Sequence, residues 1–248
     1  MKINIMTLFP DMCETVLSES IIGRAREKGL VEINCINIRD FTVDKHRRVD
    51  DAPYGGGMGM LMQIQPIVDC YKSICDKSDG ENYLIYMSPC GKTLTQSRVK
   101  ELAEFDEITI LCGHYEGVDQ RVIESIVDEQ ISIGDYVLTG GELPALVLAD
   151  SISRMLEGVL PNDEAKEMES HYSGLLEHPQ YTRPYEWNGM KVPDVLVSGH
   201  HGNIEKWKRE QSLLMTAKYR PDMLETVELT KKDKDFLEKE NITNIVIK

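Results

Sequence analysis

The first 160 residues alternate short apolar runs with longer segments in which apolar positions recur every three or four residues. The short runs are rich in β-branched side chains and are followed by turn residues, which is typical of strands. The strands are predicted at Lys2–Phe9, Val31–Ile38, Tyr83–Ser88, Glu107–Cys112 and Glu129–Ile133. The helices between them are predicted at Met12–Lys28, Ile64–Asp76, Thr95–Ala103, Val118–Val127 and Glu142–Leu156. This alternation predicts an α/β fold with a largely parallel sheet covered by helices.

The pattern changes after residue 160. The segment Pro161–Gly174 has few apolar residues and several acids, and it predicts a linker that is mobile unless a partner orders it. Farther along, Trp187–Met190 predicts a hairpin and Asn203–Lys218 a helix. Thr230–Asp233 resembles a capping box that opens a final helix reaching Glu240. We therefore divide the chain into residues 1–160, a linker over 161–174, and a small, mainly helical domain over 175–248.

Surfaces that bind nucleic acid are usually basic, and the overall charge of this chain argues against a broad surface of that kind. The chain has 28 Lys and Arg against 42 Asp and Glu, a formal net charge of −14. Its six cysteines contain no pair with C-x-x-C spacing, so zinc ligation is not indicated, and their apolar neighbours predict reduced thiols in a cytoplasmic protein. No signal peptide and no apolar run near the roughly 20 residues of a membrane span is present.

Three glycine-containing loops follow three successive predicted strands: Ser88–Gly91, Gly113–Gly117 and Gly134–Pro144. Because the carboxyl ends of parallel strands share one edge of a sheet, we expect these loops to converge on a ligand. None has the G-x-G-x-x-G pattern of a dinucleotide site, and the glycine cluster Gly55–Gly59 lacks the lysine of a phosphate-binding loop. The apolar side chains and the absence of a cation cluster favour a ligand with an uncharged ring and no phosphate.

Two further segments each have two interpretations. Gly55–Gly59 follows the charged run His46–Asp51 and is either a flexible surface loop or a mobile loop that admits a planar substrate. Residues 200–220 contain five Lys and Arg against two Glu, together with paired histidines, Trp207 and Tyr219. This segment is either a phosphate-binding surface or a solvated helix face.

Seven segments together carry a family resemblance: Met6–Pro10, His46–Met60, Ser88–Gly91, Cys112–Gly117, Ser132–Pro144, Gly174–Leu176 and Pro179–Pro184. In content and order they resemble bacterial tRNA (guanine-37-N1)-methyltransferases of the SPOUT class, the TrmD family. The resemblance implies a trefoil-knotted α/β domain that holds S-adenosyl-L-methionine, a tRNA substrate, and an obligate homodimer with each active site at the subunit interface.

The resemblance also implies roles for individual residues. The cofactor would contact Met87, Pro89, Gly113, Ile133, Gly134, Asp135, Tyr136, Val137, Leu138, Gly140, Gly141 and Pro144. The target guanine would contact Met58, Gly59 and Glu116, and the tRNA would contact Arg183, His201 and Lys208. No metal ligand is predicted, although the resemblance implies Mg²⁺ dependence.

The catalytic residues implied by the resemblance are Arg154 and Glu169. The family commonly has an Asp-Ser pair where this chain has Glu169-Ser170, and the additional methylene shifts the carboxylate. We expect Glu169 to remove the proton from guanine N1 while Arg154 stabilises the charge that develops towards O6. Three alternatives remain open at this point: a SPOUT methyltransferase for another RNA base or ribose, a non-catalytic RNA-binding module, and a nucleotide-dependent phosphotransferase.

Overall fold

The computed structural model describes residues 1–78, 80–162, 166, 169–240 and 242. The chain divides into two compact units, Met1–Asp163 and Glu164–Lys248. The predicted linker, residues 161–174, spans this division, and its residues 163–165, 167 and 168 lie outside the described part of the chain. The expected mobility of the linker stays a prediction. No described helix is both long and apolar enough to cross a membrane.

The first unit is an α/β structure with a parallel central sheet, as the alternating pattern predicts. Its strands are β1 (Lys2–Thr7), β2 (Glu32–Asn37), β3 (Asp50–Asp51), β4 (Leu61–Met62), β5 (Tyr83–Thr93), β6 (Glu107–Cys112) and β7 (Glu129–Ser132). Five of them form the central sheet in the order β2-β1-β6-β5-β7, and every neighbouring pair is parallel. The two short strands β3 and β4 form a separate antiparallel pair.

Helices cover both faces of this sheet, because alternate strand residues enter two different cores. The helices are α1 (Pro10–Leu17), α2 (Ser20–Glu27), α3 (Ile64–Cys75), α4 (Gln96–Leu102), α5 (Gln120–Ile126) and α6 (Glu142–Ser153), and a 3-10 helix spans Ile38–Phe41. In β5, Ile85 and Met87 pack into one core, while Leu84 and Tyr86 pack into the other. Burial on both faces explains why these strands read as nearly continuous apolar runs.

Several predicted boundaries in this unit differ from the structure, and three of the differences have a clear local cause. The single helix expected over Met12–Lys28 is two helices, because α1 ends at Leu17 and the chain turns through Ser20, whose φ is +58°. The third strand does not end at Ser88 but continues to Thr93, with an irregular register between Met87 and Lys92. The fifth helix starts at Gln120, where the Asp119 side chain accepts a hydrogen bond from the Arg121 amide, and not at Val118.

The second unit contains a hairpin and four helices among its described residues. Strands β8 (Glu186–Trp187) and β9 (Met190–Lys191) form the predicted hairpin, and the positive φ angles of Asn188 and Gly189 match its tight turn. The helices are α7 (Asp194–Val197), α8 (His201–Tyr219), α9 (Pro221–Leu224) and α10 (Lys231–Lys239). Helix α10 begins with the predicted capping box between Thr230 and Asp233, and its C-cap is Glu240. The apolar core of this unit includes Leu175, Leu213, Ala217, Leu224 and Leu237.

Candidate active site

A cavity of about 220 Å³ lies at the carboxyl ends of β5, β6 and β7. Its wall combines the irregular middle of β5, the segment predicted as the first loop, with the loops that follow β6 and β7. Its lining contains Met87 and Pro89 from the first, Gly113 to Gly117 from the second, and Ile133 with most of the following loop from the third. The wall is therefore built from backbone and apolar side chains at the edge of the sheet where α/β proteins bind ligands.

The third loop closes directly onto the second. The Gly141 amide donates a hydrogen bond to the Gly113 carbonyl at 2.8 Å, and His114 pairs with Gly140 in an isolated antiparallel bridge. A Cβ atom on Gly141 would lie 2.7 Å from the Cα of Cys112, and one on Gly113 would lie 2.8 Å from the Tyr86 hydroxyl. Because such contacts are too short for real atoms, glycine at both positions is a steric requirement of the cavity wall.

The exposed rim of the cavity is apolar. Tyr136, Val137 and Leu138 all line the cavity and remain exposed, and the Tyr136 ring covers the space that a side chain on Gly134 would need. Tyr115, also at the rim, adopts a left-handed φ of +58°, which a tyrosine adopts only when its surroundings hold it there. The rim therefore offers apolar and aromatic contacts to an uncharged ring.

The cavity includes nearly all the residues that the sequence assigns to cofactor binding. Met87, Pro89, Gly113, Ile133, Gly134, Tyr136, Val137, Leu138, Gly140, Gly141 and Pro144 line it, whereas Asp135 does not. The lining also contains residues that the prediction did not include: Tyr86, Ser88, His114, Tyr115, Glu116, Gly117, Ile131, Ser132 and Thr139. Of these, Glu116 is assigned to the guanine. Strand alternation alone could have indicated Ile131, which lies two residues before Ile133.

Tyr86 is the more buried of the two tyrosines among these additions. Its hydroxyl lies near Gly113 and Gly117, while its ring belongs to the core on the opposite face of the sheet from Met87. Burial raises the pKa of Tyr86, so the phenol is neutral and acts as a hydrogen-bonding group. The Tyr86 ring thus supports the second loop from beneath.

A buried polar cluster lies directly behind the cavity wall. The Thr7 hydroxyl donates a hydrogen bond to Glu142 Oε1 at 2.8 Å, and His114 Nδ1 lies 4.0 Å from Glu142 Oε2. Glu142 is the first residue of α6 and is only 3% exposed. His114 Nδ1 is buried without a hydrogen-bond partner, and its ring packs against Phe9 and Tyr115. The cluster joins β1, the second loop and α6.

The glycine cluster Gly55–Gly59 reaches the rim of the same cavity. The Glu116 amide donates to the Met60 carbonyl at 3.0 Å, and a Cβ on Gly59 would lie 2.6 Å from Glu116 Cγ. Strands β3 and β4 pair on either side of this cluster, while Gly55 and Gly56 have open space around them. The predicted guanine contacts Gly59 and Glu116 are thus adjacent, and the neighbouring Met58 side chain is 94% exposed.

The two predicted catalytic residues lie in different units. Arg154 is the C-cap residue of α6, and its amide donates to the Asp150 carbonyl at 3.1 Å. Glu169 belongs to the second unit and lies in a turn, where its amide donates to the Lys166 carbonyl and its carbonyl accepts from the Tyr172 amide. Both side chains are partly buried.

Most of the cations in the predicted basic segment have acidic partners. Lys208 pairs with Glu205 at 2.8 Å, Lys206 pairs with Glu210 at 3.7 Å, and Arg209 pairs with Asp233 at 2.9 Å. The Asp233 partner is buried, so Arg209 is held as part of the fold. The exposed pairs of Lys206 and Lys208 are weak and can exchange for another anion. Arg183 and His201 are exposed.

The described residues contain no group of three or more His, Cys, Asp and Glu side chains placed to hold a metal ion. All six cysteines are free thiols, and Cys13, Cys70 and Cys112 are buried. Burial raises the pKa of Cys70 to about 12 and also raises that of Cys112, so both are packed as neutral thiols.

Comparison with known families identifies the protein family behind this site. The family model described as tRNA (Guanine-1)-methyltransferase TrmD matches residues 1–226. The chain belongs to this family. The prediction of a methyltransferase of the TrmD family is thereby confirmed.

Individual TrmD-family relatives match along nearly their whole length. A tRNA (guanine-N(1)-)-methyltransferase of Ruminiclostridium cellulolyticum is 57% identical over 90% of this chain and 96% of its own length. A protein of the same name from Caldicellulosiruptor saccharolyticus is 56% identical over 96% of both chains. A third, from Clostridium perfringens, is 54% identical over 94% of this chain and 97% of its own. The family match, over residues 1–226, thus includes residues of both units described above.

Proposed function

We propose that the protein transfers a methyl group from S-adenosyl-L-methionine to N1 of guanosine-37 in tRNA, next to the anticodon. The observation that carries this proposal is the single cavity formed by three loops of a TrmD-family chain. The wall is glycine-rich and mostly apolar, and the lining contains no Lys or Arg. These properties suit a nucleoside cofactor without phosphates.

The residues of the cavity fit that cofactor. Glycines at positions 113 and 141 leave room for close backbone approach, while Ile133 and Leu138 offer apolar contacts to an adenine ring. Bound there, S-adenosyl-L-methionine supplies an electrophilic methyl group on a sulfonium. The loops orient that group and exclude water from it. The proposal assigns no role to Asp135, which does not line the cavity.

The chemistry at guanine needs a base, because N1 carries a proton and its lone pair is delocalised. Glu169 is the proposed base, and its carboxylate takes the N1 proton as the methyl group arrives. Negative charge then develops towards the guanine O6, and the permanently charged guanidinium of Arg154 is proposed to stabilise it.

The guanine is proposed to enter beside the glycine cluster Gly55–Gly59. This is supported by the contact between Gly59 and Glu116, since Glu116 also lines the cavity. The open space at Gly55 and Gly56 leaves the backbone accessible to a flat base. A target base in a tRNA loop requires unstacking but no opening of a long duplex.

The proposal includes a homodimer. Helices α1 and α6 pack side by side and expose Phe9, Met12, Val16, Leu143 and Val147, each between 41% and 49% exposed. Large exposed apolar side chains on two packed helices are typical of a protein interface, and the start of α6 beside the cavity favours a second copy of the chain as the occupant.

The position of Arg154 supports an active site shared between subunits. Gly140, Gly141 and Pro144 line the cavity at the start of α6, whereas Arg154 follows its last residue. The helix has 12 residues, which separates its ends by about 18 Å. We therefore assign to each cavity the partner subunit's Arg154.

The trefoil knot is also part of the proposal. After β7, at one edge of the sheet, the chain crosses to β6, where the Gly141 amide bonds the Gly113 carbonyl, and α6 then packs on β1 and β6. The extended end of β5 also lies very close to β7, as a Cβ on Gly91 would be 2.5 Å from the Ile131 amide nitrogen. Such tight crossings are expected where one segment threads a loop, which is rare in proteins.

Substitution of the two catalytic residues tests the proposed chemistry. We expect Glu169→Gln and Arg154→Ala each to lower methyl transfer by at least about 100-fold, because a base and a charge stabiliser each contribute that much. Binding of S-adenosyl-L-methionine, measured by calorimetry, is expected to remain within about threefold of the wild type. Glu169→Asp is the matched control, since it keeps a carboxylate and is expected to retain activity. Retained turnover in Glu169→Gln would contradict the assignment.

A further inference from the structure

The Glu142 carboxylate lies behind the cavity wall with unusually few partners. A carboxylate has about four acceptor sites, and among the described residues the Thr7 hydroxyl is the one hydrogen-bond donor to it. The one basic group within 4.0 Å is the His114 imidazole, again within the described part of the chain. A carboxylate that is 3% exposed is normally paired with a cation or saturated with hydrogen bonds.

Only a glycine separates this carboxylate from the cavity. A Cβ on Gly140 would lie 2.5 Å from Glu142 Oε2 and 2.7 Å from His114 Nδ1, and Gly140 itself lines the cavity. The neighbouring lining residues Gly141 and Pro144 carry no charge that could screen it. The amino-terminal end of α6 favours a negative charge at Glu142, because the helix dipole is positive there.

We propose that Glu142 is a specificity-determining residue that makes the cavity prefer a ligand carrying a net positive charge. The inference rests on the proposed function. S-adenosyl-L-methionine has one more positive charge than S-adenosylhomocysteine, the product left after methyl transfer. A buried carboxylate in a low-dielectric wall attracts the cationic cofactor and not the neutral product, so its field favours exchange of product for cofactor after each turnover.

Four residues from four different elements surround this carboxylate. The groups that face Glu142 are Thr7 from β1, Cys13 from α1, Cys112 from β6 and His114 from the second loop. Cys112 has a raised pKa caused by burial and by Glu142, so it is a neutral thiol. None of these described groups is a permanent cation. A positively charged ligand would therefore supply the charge that compensates the Glu142 carboxylate.

The test compares three ligands on the wild type and on Glu142→Gln by calorimetry: S-adenosyl-L-methionine, S-adenosylhomocysteine, and sinefungin, which has an amine in place of the sulfonium. The substitution keeps the shape and the acceptor for Thr7 but removes the charge. We expect it to weaken both cationic ligands by about fivefold or more and to leave S-adenosylhomocysteine within about twofold. Thr7→Val is the matched control, since it removes the hydrogen bond and keeps the charge, and its ligand preference is expected to remain.

The outcomes separate the inference from the proposed function. Equal weakening of all three ligands by Glu142→Gln would overturn the electrostatic role. The wild type gives a second test that needs no variant, since equal affinity for S-adenosyl-L-methionine, sinefungin and S-adenosylhomocysteine would also overturn it. If the wild type binds none of them, the proposed function itself fails.

Discussion

At the level of single residues, the cavity wall depends on glycines that are required for steric reasons. Gly141 has a φ of −83°, which any residue can adopt, so its backbone conformation does not require glycine. The constraint is steric, because a Cβ there would lie 2.7 Å from the Cα of Cys112. Adding one methyl group there forces apart the two loops joined by the hydrogen bond from Gly141 to Gly113.

Gly141→Ala is therefore expected to weaken S-adenosyl-L-methionine binding by at least about tenfold and to lower the free energy of unfolding by about 1–3 kcal/mol. The control is Gly202→Ala in α8, where an added Cβ meets nothing within 4 Å. Calorimetry and thermal unfolding measure the two effects. Wild-type affinity in Gly141→Ala would show that the loops adjust freely and would contradict the close-packed wall.

The sequence predicts most of the cavity at this scale because glycine, proline and apolar residues follow each strand. It did not indicate Tyr86, because that side chain packs into the core on the opposite face from Met87 and approaches the loop from below. It also did not indicate the cluster of Thr7, His114 and Glu142. These residues lie up to 135 positions apart in the sequence and come together only in the folded chain. A lone histidine or glutamate carries no periodic signal.

At the level of secondary structure, α10 is stabilised at its first turn by one buried carboxylate. Asp233 accepts hydrogen bonds from the Thr230 amide at 2.9 Å and from Arg209 at 2.9 and 3.1 Å. Burial acts to raise the pKa of Asp233, but the hydrogen bonds from Arg209 and Thr230 outweigh it and hold the pKa below its usual value. The same residue thus fixes the helix start and orders Arg209.

Asp233→Asn is expected to lower the free energy of unfolding by about 2 kcal/mol at neutral pH, because charge-assisted hydrogen bonds are lost. A depressed pKa stabilises the fold above the unfolded-state value of about 3.9, and this contribution is lost as the pH falls through the folded-state value. The difference between wild type and variant should therefore disappear in acid. Denaturant unfolding at several pH values measures it.

Asp222→Asn is the control for this prediction. Asp222 pairs with Arg220 in an exposed ion pair, so its loss is expected to change stability little. The role of the charged carboxylate would be contradicted if the free energies of unfolding of Asp233→Asn and the wild type differ by the same amount at neutral and at acid pH.

The strands of the central sheet are the elements that the sequence predicts best, because burial on both faces gives each a short apolar run. The break between α1 and α2 is hidden, since helical periodicity continues through Ser18–Ser20 while the backbone turns. A Cβ on Gly23 would lie 2.2 Å from the Ser18 carbonyl oxygen, so this glycine belongs to the turn. The extension of β5 through Pro89 and Gly91 is hidden as well, because both residues normally indicate a loop.

At the level of the whole molecule, the account requires two subunits for one active site. Co-expression of a Gly141→Ala chain with an Arg154→Ala chain tests this directly. At a cofactor concentration well below the affinity of the Gly141→Ala cavity, each variant alone is expected to be nearly inactive. A mixed dimer has one intact cavity served by an intact arginine from its partner. We expect purified mixed dimers to recover about half of the wild-type methyl transfer. If mixed dimers recover no methyl transfer, each active site combines the cavity and the Arg154 of the same chain, which would contradict the shared site.

The acidic net charge of −14 has a consequence for tRNA binding. Attraction to phosphates must come from local cations, and Arg209 and the nearby lysines already have acidic partners. We expect the tRNA affinity to fall steeply with added salt, because each local cation that contacts a phosphate displaces a counterion. Neither the proposed subunit contacts nor the proposed threading of the chain follows from periodicity, since both depend on long-range arrangement and not on local pattern.

The central claim is methylation of one base, and a transfer assay tests it most directly. Labelled S-adenosyl-L-methionine would be incubated with the wild-type protein and two tRNA transcripts, which differ only in guanosine or adenosine at position 37. The account predicts label in the guanosine transcript alone, recovered as 1-methylguanosine. Label in both transcripts, or in neither while the cofactor still binds, would contradict it.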